Sequence, residues 1–243
     1  MPKTETCTYN LSNKETCMNC VKKESSLLNE LSFNELAILE NDRSVVNYKK
    51  GELIYKEGAK PMGLLCLNTG KVKITRQAHN GIAQIVALKK PVDFIDLCSI
   101  INNEPYQTSA TALDDSSVCI IEKQNFMNII RQNPDLSFKI MCSFAKELEE
   151  ANKRFLTMTQ KLLRARLTEA LSLLYDMYGT LPDGITLNCT VKRAELAAMS
   201  NMTTANVIRT LSLLAKEGVL IIDRKKILVK DRNLLKTISE LGR

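Results

Sequence analysis

Short apolar segments separated by turn residues fill the chain between Val45 and about Lys123. Each is three or four residues long and rich in Val, Ile or Leu; the segments are 45–48, 53–55, 64–67, 72–75, 85–88 and 118–121. The intervening pairs include Lys50-Gly51, Thr69-Gly70 and Asn80-Gly81, and the last of these is typical of a tight hairpin. Short strands at such regular spacing predict an antiparallel barrel or roll.

The hydrophobic period becomes helical after Asn133-Pro134. Apolar residues then recur in alternating steps of three and four, at Met141, Phe144, Leu148, Ala151, Phe155, Met158 and Leu162. Charged residues such as Lys146, Glu149 and Arg154 occupy the other faces, so the apolar stripe is narrow. A narrow stripe favours pairing with a second copy of the same helix, while packing on the chain's own roll is the alternative.

The last third of the chain has the pattern of a helix-turn-helix with a wing. A helix over about 162–178 and a loop precede a short helix, whose apolar face comprises Leu196, Ala197 and Met199. A turn over 200–202 follows, and Thr203 is suited to cap a second helix that Gly218 ends. The inward positions of that helix are Val207, Leu211 and Leu214. Residues 219–222 and 227–229 then predict a hairpin around a basic turn.

Charge and composition favour some kinds of function and argue against others. The net charge of the 243 residues is +7, and residues 164–243 hold 13 Lys/Arg against 8 Asp/Glu, which favours a polyanion-binding module there. The apolar runs fall far short of the roughly 18 residues of a membrane span, and the first ten residues lack an apolar signal segment. We therefore expect a cytoplasmic protein without a membrane partner. The single histidine, His79, leaves little room for His-based catalytic or metal sites, and the sequence shows no nucleophile–base pair or phosphate loop, so we expect no enzyme.

Three features together resemble the Crp/Fnr superfamily of bacterial transcription regulators: the stretch Lys49 to Gly58, the turn Leu67 to Val72, and the helix-turn-helix. The resemblance covers about 27–229. It implies an α+β fold with an N-terminal antiparallel β-roll (a cyclic-nucleotide-binding-like jelly roll) over 1–133, a dimerisation helix over 134–162 and a C-terminal winged helix-turn-helix over 163–243. It also implies an effector-controlled homodimer that binds double-stranded DNA at a near-palindromic operator, with RNA polymerase as a further partner.

The second helix of the helix-turn-helix would read DNA in the major groove. Its first turns expose Thr204, Ala205, Ile208 and Arg209, and the resemblance places Arg209 against a guanine of each half-site. Many relatives carry a glutamate where this chain has Ala205, so the half-site is expected to differ. Thr203, Lys192 and Arg193 are expected to contact the DNA as well, with Thr203 and Arg193 on phosphates.

The resemblance also suggests which effectors to expect. Cyclic-nucleotide-binding relatives hold the ring phosphate with a glycine–glutamate pair and an arginine–serine pair. The matching stretches here are Phe94 to Cys98 and Tyr106 to Ser109, where the glutamate and arginine are missing. A buried phosphate would lack a counter-charge, so we expect no cyclic AMP, whereas another small ligand in the roll stays open. His79 lies in a hairpin turn, and we expect no haem.

The eight cysteines raise a second possible kind of effector, a metal cluster bound by cysteine side chains. Fnr-type members hold a [4Fe–4S] cluster with three amino-terminal cysteines and one in the roll. Cys17, Cys20 and Cys119 match that pattern, but Ser26 stands at the third amino-terminal position, which leaves Cys7 as the remaining candidate ligand.

Three interpretations of these cysteines stay open. One is a cluster on Cys7, Cys17, Cys20 and Cys119; another is zinc or thiol redox chemistry centred on Cys17 and Cys20; the third is a vestigial pair with Cys119 as a buried strand residue. The cysteines at 66, 98, 142 and 189 are expected to be packing residues.

One alternative function lies outside transcription. The helix-turn-helix could mediate protein contacts in a ligand-binding module that does not touch DNA. The basic wing residues Arg224, Lys225 and Lys226 argue against that module.

Overall fold

A computed structural model describes residues 27–41, 43–77 and 83–241 of the chain. The roll consists of two four-stranded antiparallel sheets with strand orders β1-β8-β3-β6 and β2-β7-β4-β5. Its strands are β1 (Ser44–Tyr48), β2 (Leu53–Tyr55), β3 (Leu64–Thr69), β4 (Val72–Gln77), β5 (Ala83–Lys89), β6 (Phe94–Ile95), β7 (Ser109–Ala112) and β8 (Ser116–Ile121). The expected α+β class with an antiparallel roll is confirmed.

Alternation along β3 divides the roll into two hydrophobic layers. Leu65 and Leu67 belong to the core between the sheets, with Val118 and the stacked pair Tyr55 and Tyr106. Their neighbours on β3 point to the opposite face, as a period of two requires. On that outer face Leu64, Cys66, Cys119 and Ile121 pack against helical segments.

The six strands expected from the sequence are present, and two more strands were missed. β6 has only two residues, and β7 consists of Ser, Ala and Thr residues without strong hydrophobic alternation. The Asn80-Gly81 turn and His79 lie outside the described residues. The strands on either side of that turn pair antiparallel, with Gln77 opposite Ala83.

Helices cover the outer face of the first sheet. They are a 3₁₀ turn (Leu27–Glu30), α1 (Phe33–Asn41), α2 (Leu97–Asn102), α3 (Lys123–Gln132) and the long α4 (Pro134–Gln160). Asn133 caps α4, because its side chain accepts a hydrogen bond from the Leu136 amide at 2.9 Å. Pro134 stands in the first turn, where its missing N–H costs nothing.

The long helix was expected to end at Leu162, where the next helix begins, and it ends two residues earlier, at Gln160. Lys161 and Leu162 are extended, and Leu162 is the N-cap residue of the next helix. Tertiary contacts hold this break, because Arg166 donates from Nε to the Lys161 carbonyl at 2.9 Å. The Thr157 hydroxyl also donates to the Glu169 carboxylate at 2.9 Å.

The C-terminal part comprises α5 (Leu163–Tyr178), α6 (Arg193–Ser200), α7 (Thr204–Lys216), β9 (Leu220–Asp223), β10 (Lys226–Val229) and α8 (Arg232–Leu241). Its core joins Leu171, Leu196, Val207 and Leu211 with the inner side of the wing. Leu88 and Leu113 of the roll belong to the same core, so the roll packs on this domain. Within the described ranges, no helix is long and apolar enough to cross a membrane.

Candidate functional site

The turn between α6 and α7 has the geometry that a helix-turn-helix needs. Asn201 ends α6 in the left-handed region at φ 50°, which asparagine tolerates better than most residues. Two residues later, Thr203 caps α7, because its hydroxyl accepts a hydrogen bond from the Asn206 amide at 3.2 Å. The expected turn and cap are both present, so the direction of α7 is fixed by local contacts.

Packing then fixes the rotation of α7 about its axis. Its buried residues are Val207, Thr210, Leu211 and Leu214. The opposite face therefore faces solvent, and it presents the exposed residues Thr204, Ala205, Ile208 and Arg209. The structure thus exposes all four residues that the sequence assigned to base reading, and their contact with DNA stays a prediction.

Basic residues stand before and after α7 in the chain, at the start of α6 and in the wing turn. Lys192 is exposed at the N-cap of α6, and its backbone amide donates to Glu195 Oε2 at 2.7 Å. Arg193 is half-buried and donates from Nη2 to the Arg224 carbonyl at 3.4 Å, which ties the wing turn to α6. Burial lowers the pKa of Arg193, but a guanidinium stays charged at neutral pH. Arg193 is therefore in part a structural residue.

Contacts between the roll and the helix-turn-helix were missed by sequence reasoning. Lys73 on β4 pairs with Glu195 in the first turn of α6, with 2.6 Å between Nζ and Oε1. Lys71 lies over the Tyr178 ring at 5.4 Å, and the Tyr178 hydroxyl donates to the Lys89 carbonyl at 3.2 Å. The roll and the helix-turn-helix are thus in direct polar contact.

The α4 stripe is largely open to solvent. Met141, Leu148 and Phe155 are 59, 64 and 68% exposed, and Ala151 is also exposed. Leu162 is exposed in the break after the helix, while Met158 is half-buried. Phe144 is different, because it packs against the hydrophobic cluster that includes the outer face of the roll. At this one position the stripe contacts its own chain, as the alternative interpretation of the sequence expected. Phe138, three residues before Met141 and 65% exposed, extends the stripe by one step.

A cavity of about 490 Å³ lies between the roll and α4. Its wall contains Asp96, Leu97, Cys98 and Thr108, which belong to the stretches where relatives hold a cyclic nucleotide. Asp96 caps α2 by accepting from the Ser99 amide at 3.2 Å, so an acidic group occupies this wall. Lys89 and Glu147, which also line the cavity, form an ion pair at 3.2 Å. Gln107, at the position of the missing arginine, is exposed and donates to the Pro105 carbonyl at 3.3 Å.

Comparison with known proteins agrees with this architecture. The family model "Cyclic nucleotide-binding domain" matches residues 45–133, and "Crp-like helix-turn-helix domain" matches residues 165–238. The chain belongs to the Crp/Fnr family. It is therefore a DNA-binding transcription regulator of the Crp/Fnr type and not an enzyme.

Similar proteins include regulators with different names. The chain is 25% identical to the "Cyclic AMP receptor protein" of Thermus thermophilus, over 79% of this chain and 86% of that protein. It is 24% identical to the "Anaerobic regulatory protein" of Bacillus subtilis, over 90% of this chain and 93% of that protein. In fold it resembles FixK2 from Bradyrhizobium japonicum, with a TM-score of 0.72 and 22% identity over 81% of this chain and 96% of that chain.

The cysteines of this Crp/Fnr regulator fall into two groups in the described part of the chain. Cys66, Cys119 and Cys189 are buried, as packing residues are. Cys98 and Cys142 are exposed and line the cavity wall, so their assignment to the core was wrong. Cys98 is the second residue of the short α2, and Cys142 lies in the long helix α4.

Cys119 has a distinctive environment on β8. It is 3% exposed, and Arg43 donates from Nη1 to its Sγ at 3.3 Å. Cys66 lies directly opposite on β3 and was not considered as its neighbour, because the register of two distant strands has no local sequence signal. Cys7, Cys17 and Cys20 lie outside the described residues, and within 27–41, 43–77 and 83–241 no three metal-binding side chains converge.

Proposed function

We propose that this regulator acts as a homodimer that binds a near-palindromic operator and recruits RNA polymerase under the control of an effector. The observation that carries the proposal is the exposed apolar stripe on α4, which runs from Phe138 to Phe155. Large apolar side chains at heptad spacing gain most by packing against an identical helix. A parallel pair would present two copies of α7, as half-sites one helical turn apart require.

Sedimentation of the full chain, alone and with DNA, tests this proposal. A randomised duplex library first supplies the DNA, through selection by the protein with and without oxygen. We expect a dimer in free solution and two protomers on each selected duplex, whose sequence is two-fold symmetric. A monomer that binds an asymmetric site would contradict the proposal.

We infer that a [4Fe–4S] cluster on Cys7, Cys17, Cys20 and Cys119 makes the regulator responsive to oxygen or redox state. Cys119 supports this, because it matches the internal ligand of the Fnr-type pattern and its sulfur already accepts a hydrogen bond from the Arg43 guanidinium at 3.3 Å. Leu28 packs in the same hydrophobic cluster as Cys119. Cys20 lies eight residues before Leu28, and eight extended residues span up to about 28 Å, so Cys20 is within reach of Cys119. The "Anaerobic regulatory protein" relative adds support by name alone.

The visible spectrum and metal content of protein purified without oxygen test the cluster. We expect brown protein that contains iron and loses its colour in air, because a bound cluster supplies oxygen-sensitive iron–sulfur chemistry. Colourless, iron-free protein would contradict the cluster. Zinc in that same sample would support the alternative of a zinc or thiol site on Cys17 and Cys20.

The cavity supports a second candidate, control by a small ligand other than cyclic AMP. Its walls come from both the roll and α4, so a ligand there would contact the helix that carries the stripe. The Asp96 carboxylate would repel a negatively charged phosphate bound against this wall. We expect cyclic AMP to leave the melting temperature unchanged, and a rise of several degrees at millimolar cyclic AMP would contradict that expectation.

A further inference from the structure

We propose that the recognition helix reads thymine methyl groups through Ala205 and Ile208, beside one guanine read by Arg209. Each half-site would then contain a single G·C pair next to A·T pairs whose thymines face α7. This inference rests on the proposed operator binding and adds to it the kind of sequence that is bound.

The rotation of α7 places these residues on one face. Ala205, Ile208 and Arg209 have the spacing i, i+3 and i+4, which brings side chains together on a helix. Val207 and Leu211 are buried in the domain core, so this shared face is turned outward. It lies in the first two turns after the Thr203 cap, the part of a recognition helix that reaches base edges.

The chemistry of this face is mainly apolar. Ile208 is 52% exposed and Ala205 is exposed. The apolar group that base pairs offer in the major groove is the thymine C5 methyl, and alanine and other apolar side chains are suited to contact it. Between Thr203 and Leu213 the sequence has one charged residue, Arg209. This stretch therefore has no carboxylate to accept a hydrogen bond from cytosine N4.

The surroundings fit a groove rather than a protein partner. Lys192 and Arg193 stand at the start of α6, and Arg224, Lys225 and Lys226 are exposed in the wing. An apolar strip bordered by cations matches a groove that has methyl groups on its floor and phosphates along its edges. Arg193 also contacts the wing backbone, which holds the two sides of this border together.

Thymine-to-uracil exchange tests the inference, because it removes the methyl and leaves base pairing unchanged. The full chain selects its site from a randomised duplex library, with and without oxygen. Deoxyuridine then replaces each thymine of the selected site in turn, and affinity is measured by fluorescence anisotropy. We expect a loss of about fourfold for each methyl that Ala205 or Ile208 covers, and no loss at thymines outside the half-sites.

Variants assign the effect to the residues. Ile208→Ala should abolish the preference for thymine over uracil at one position of each half-site. Leu213→Ala is the matched control, because Leu213 is 49% exposed on the same helix but lies beyond its first two turns. Ala205→Glu should shift selection towards cytosine at its position, since a carboxylate accepts from cytosine N4.

The possible failures are distinguishable. A library that yields no enriched sequence in either condition would overturn operator binding itself. An enriched, symmetric site with equal affinity for thymine and uracil would leave operator binding standing and overturn the methyl-reading inference. A thymine preference that survives both Ile208→Ala and Ala205→Glu would overturn the assignment to this face.

Discussion

Lys73 of the roll and Glu195 of the helix-turn-helix form an ion pair whose side chains are only 19% and 14% exposed. Glu195 has a second role, because its other oxygen accepts from the Lys192 amide and completes the first turn of α6. Glu195, in the first turn of the first helix of the helix-turn-helix, is thus held by the roll. A change in the roll could reach α7 through this contact.

A double-mutant cycle tests this coupling. Glu195→Gln keeps an acceptor for the Lys192 amide and removes the charge, and Lys73→Met removes the opposite charge. Each single variant should be destabilised because it leaves a partly buried charge unpaired, while the double variant should recover a coupling energy of about 1–2 kcal/mol. Urea unfolding measures it, and strictly additive effects would show that the pair does not join the domains.

Arg209→Ala should abolish specific operator binding and leave dimerisation intact. Loss of a bidentate contact to guanine costs about 2 kcal/mol, or roughly 30-fold in affinity for each half-site. Anisotropy with the selected duplex and with a scrambled one measures specific and non-specific affinity. Lys216→Ala is the control, because Lys216 is exposed in the last turn of the same helix. Unchanged specific affinity in Arg209→Ala would refute the role of Arg209.

Leu148→Glu should separate the protomers. Leu148 is 64% exposed in the middle of the α4 stripe, and two-fold symmetry would bring two glutamates to the seam. A loss of about 2 kcal/mol from each copy weakens the dimer about a thousandfold. Sedimentation measures the change. Gln160→Glu adds the same charge at an exposed position on the opposite face of the same helix and should stay dimeric.

Features set by neighbouring residues could be predicted from the sequence, whereas contacts between distant residues could not. The turn at Asn201 and the cap at Thr203 were found because neighbouring residues determine them. The boundary between the long helix and the next one was expected at Leu162, two residues beyond the observed end at Gln160, because the contacts of Arg166 and Thr157 that hold the break follow no local pattern. Lys73 and Glu195 are 122 residues apart, so no local pattern could pair them.

The paired positions of Cys119 and Cys66 allow a controlled test of the cluster. Both residues are buried on the same face of adjacent strands, but only Cys119 corresponds to a ligand in Fnr-type members. Cys119→Ser should remove most iron from protein purified without oxygen. Cys66, whose thiol donates to the Val92 carbonyl at 3.7 Å, should tolerate serine without iron loss. Equal iron in both variants and the parent would exclude Cys119 as a ligand.

Asp114 should make the stability of the roll depend on pH. Burial acts to raise the pKa of Asp114, but hydrogen bonds and charge from Lys71 and Lys50 outweigh it and hold the pKa below its usual value of 3.8. The two Nζ atoms lie 2.9 and 3.1 Å from the carboxylate. A carboxylate whose pKa is lowered by folding stabilises the fold above pH 3.8, and this contribution is lost as pH falls through the folded-state pKa.

Asp114→Asn removes this contribution without changing the size of the side chain. At pH 7 it should lower the free energy of unfolding by about 1 kcal/mol, a modest value because the carboxylate is partly exposed. As pH falls below 3.8 the unfolded parent protonates first and the folded parent follows at its lower pKa, so the difference between the two proteins should shrink towards zero. Urea unfolding at pH 7, 5 and 3 measures it. A difference that stays constant down to pH 3 would mean that Asp114 acts through its shape and not through its charge.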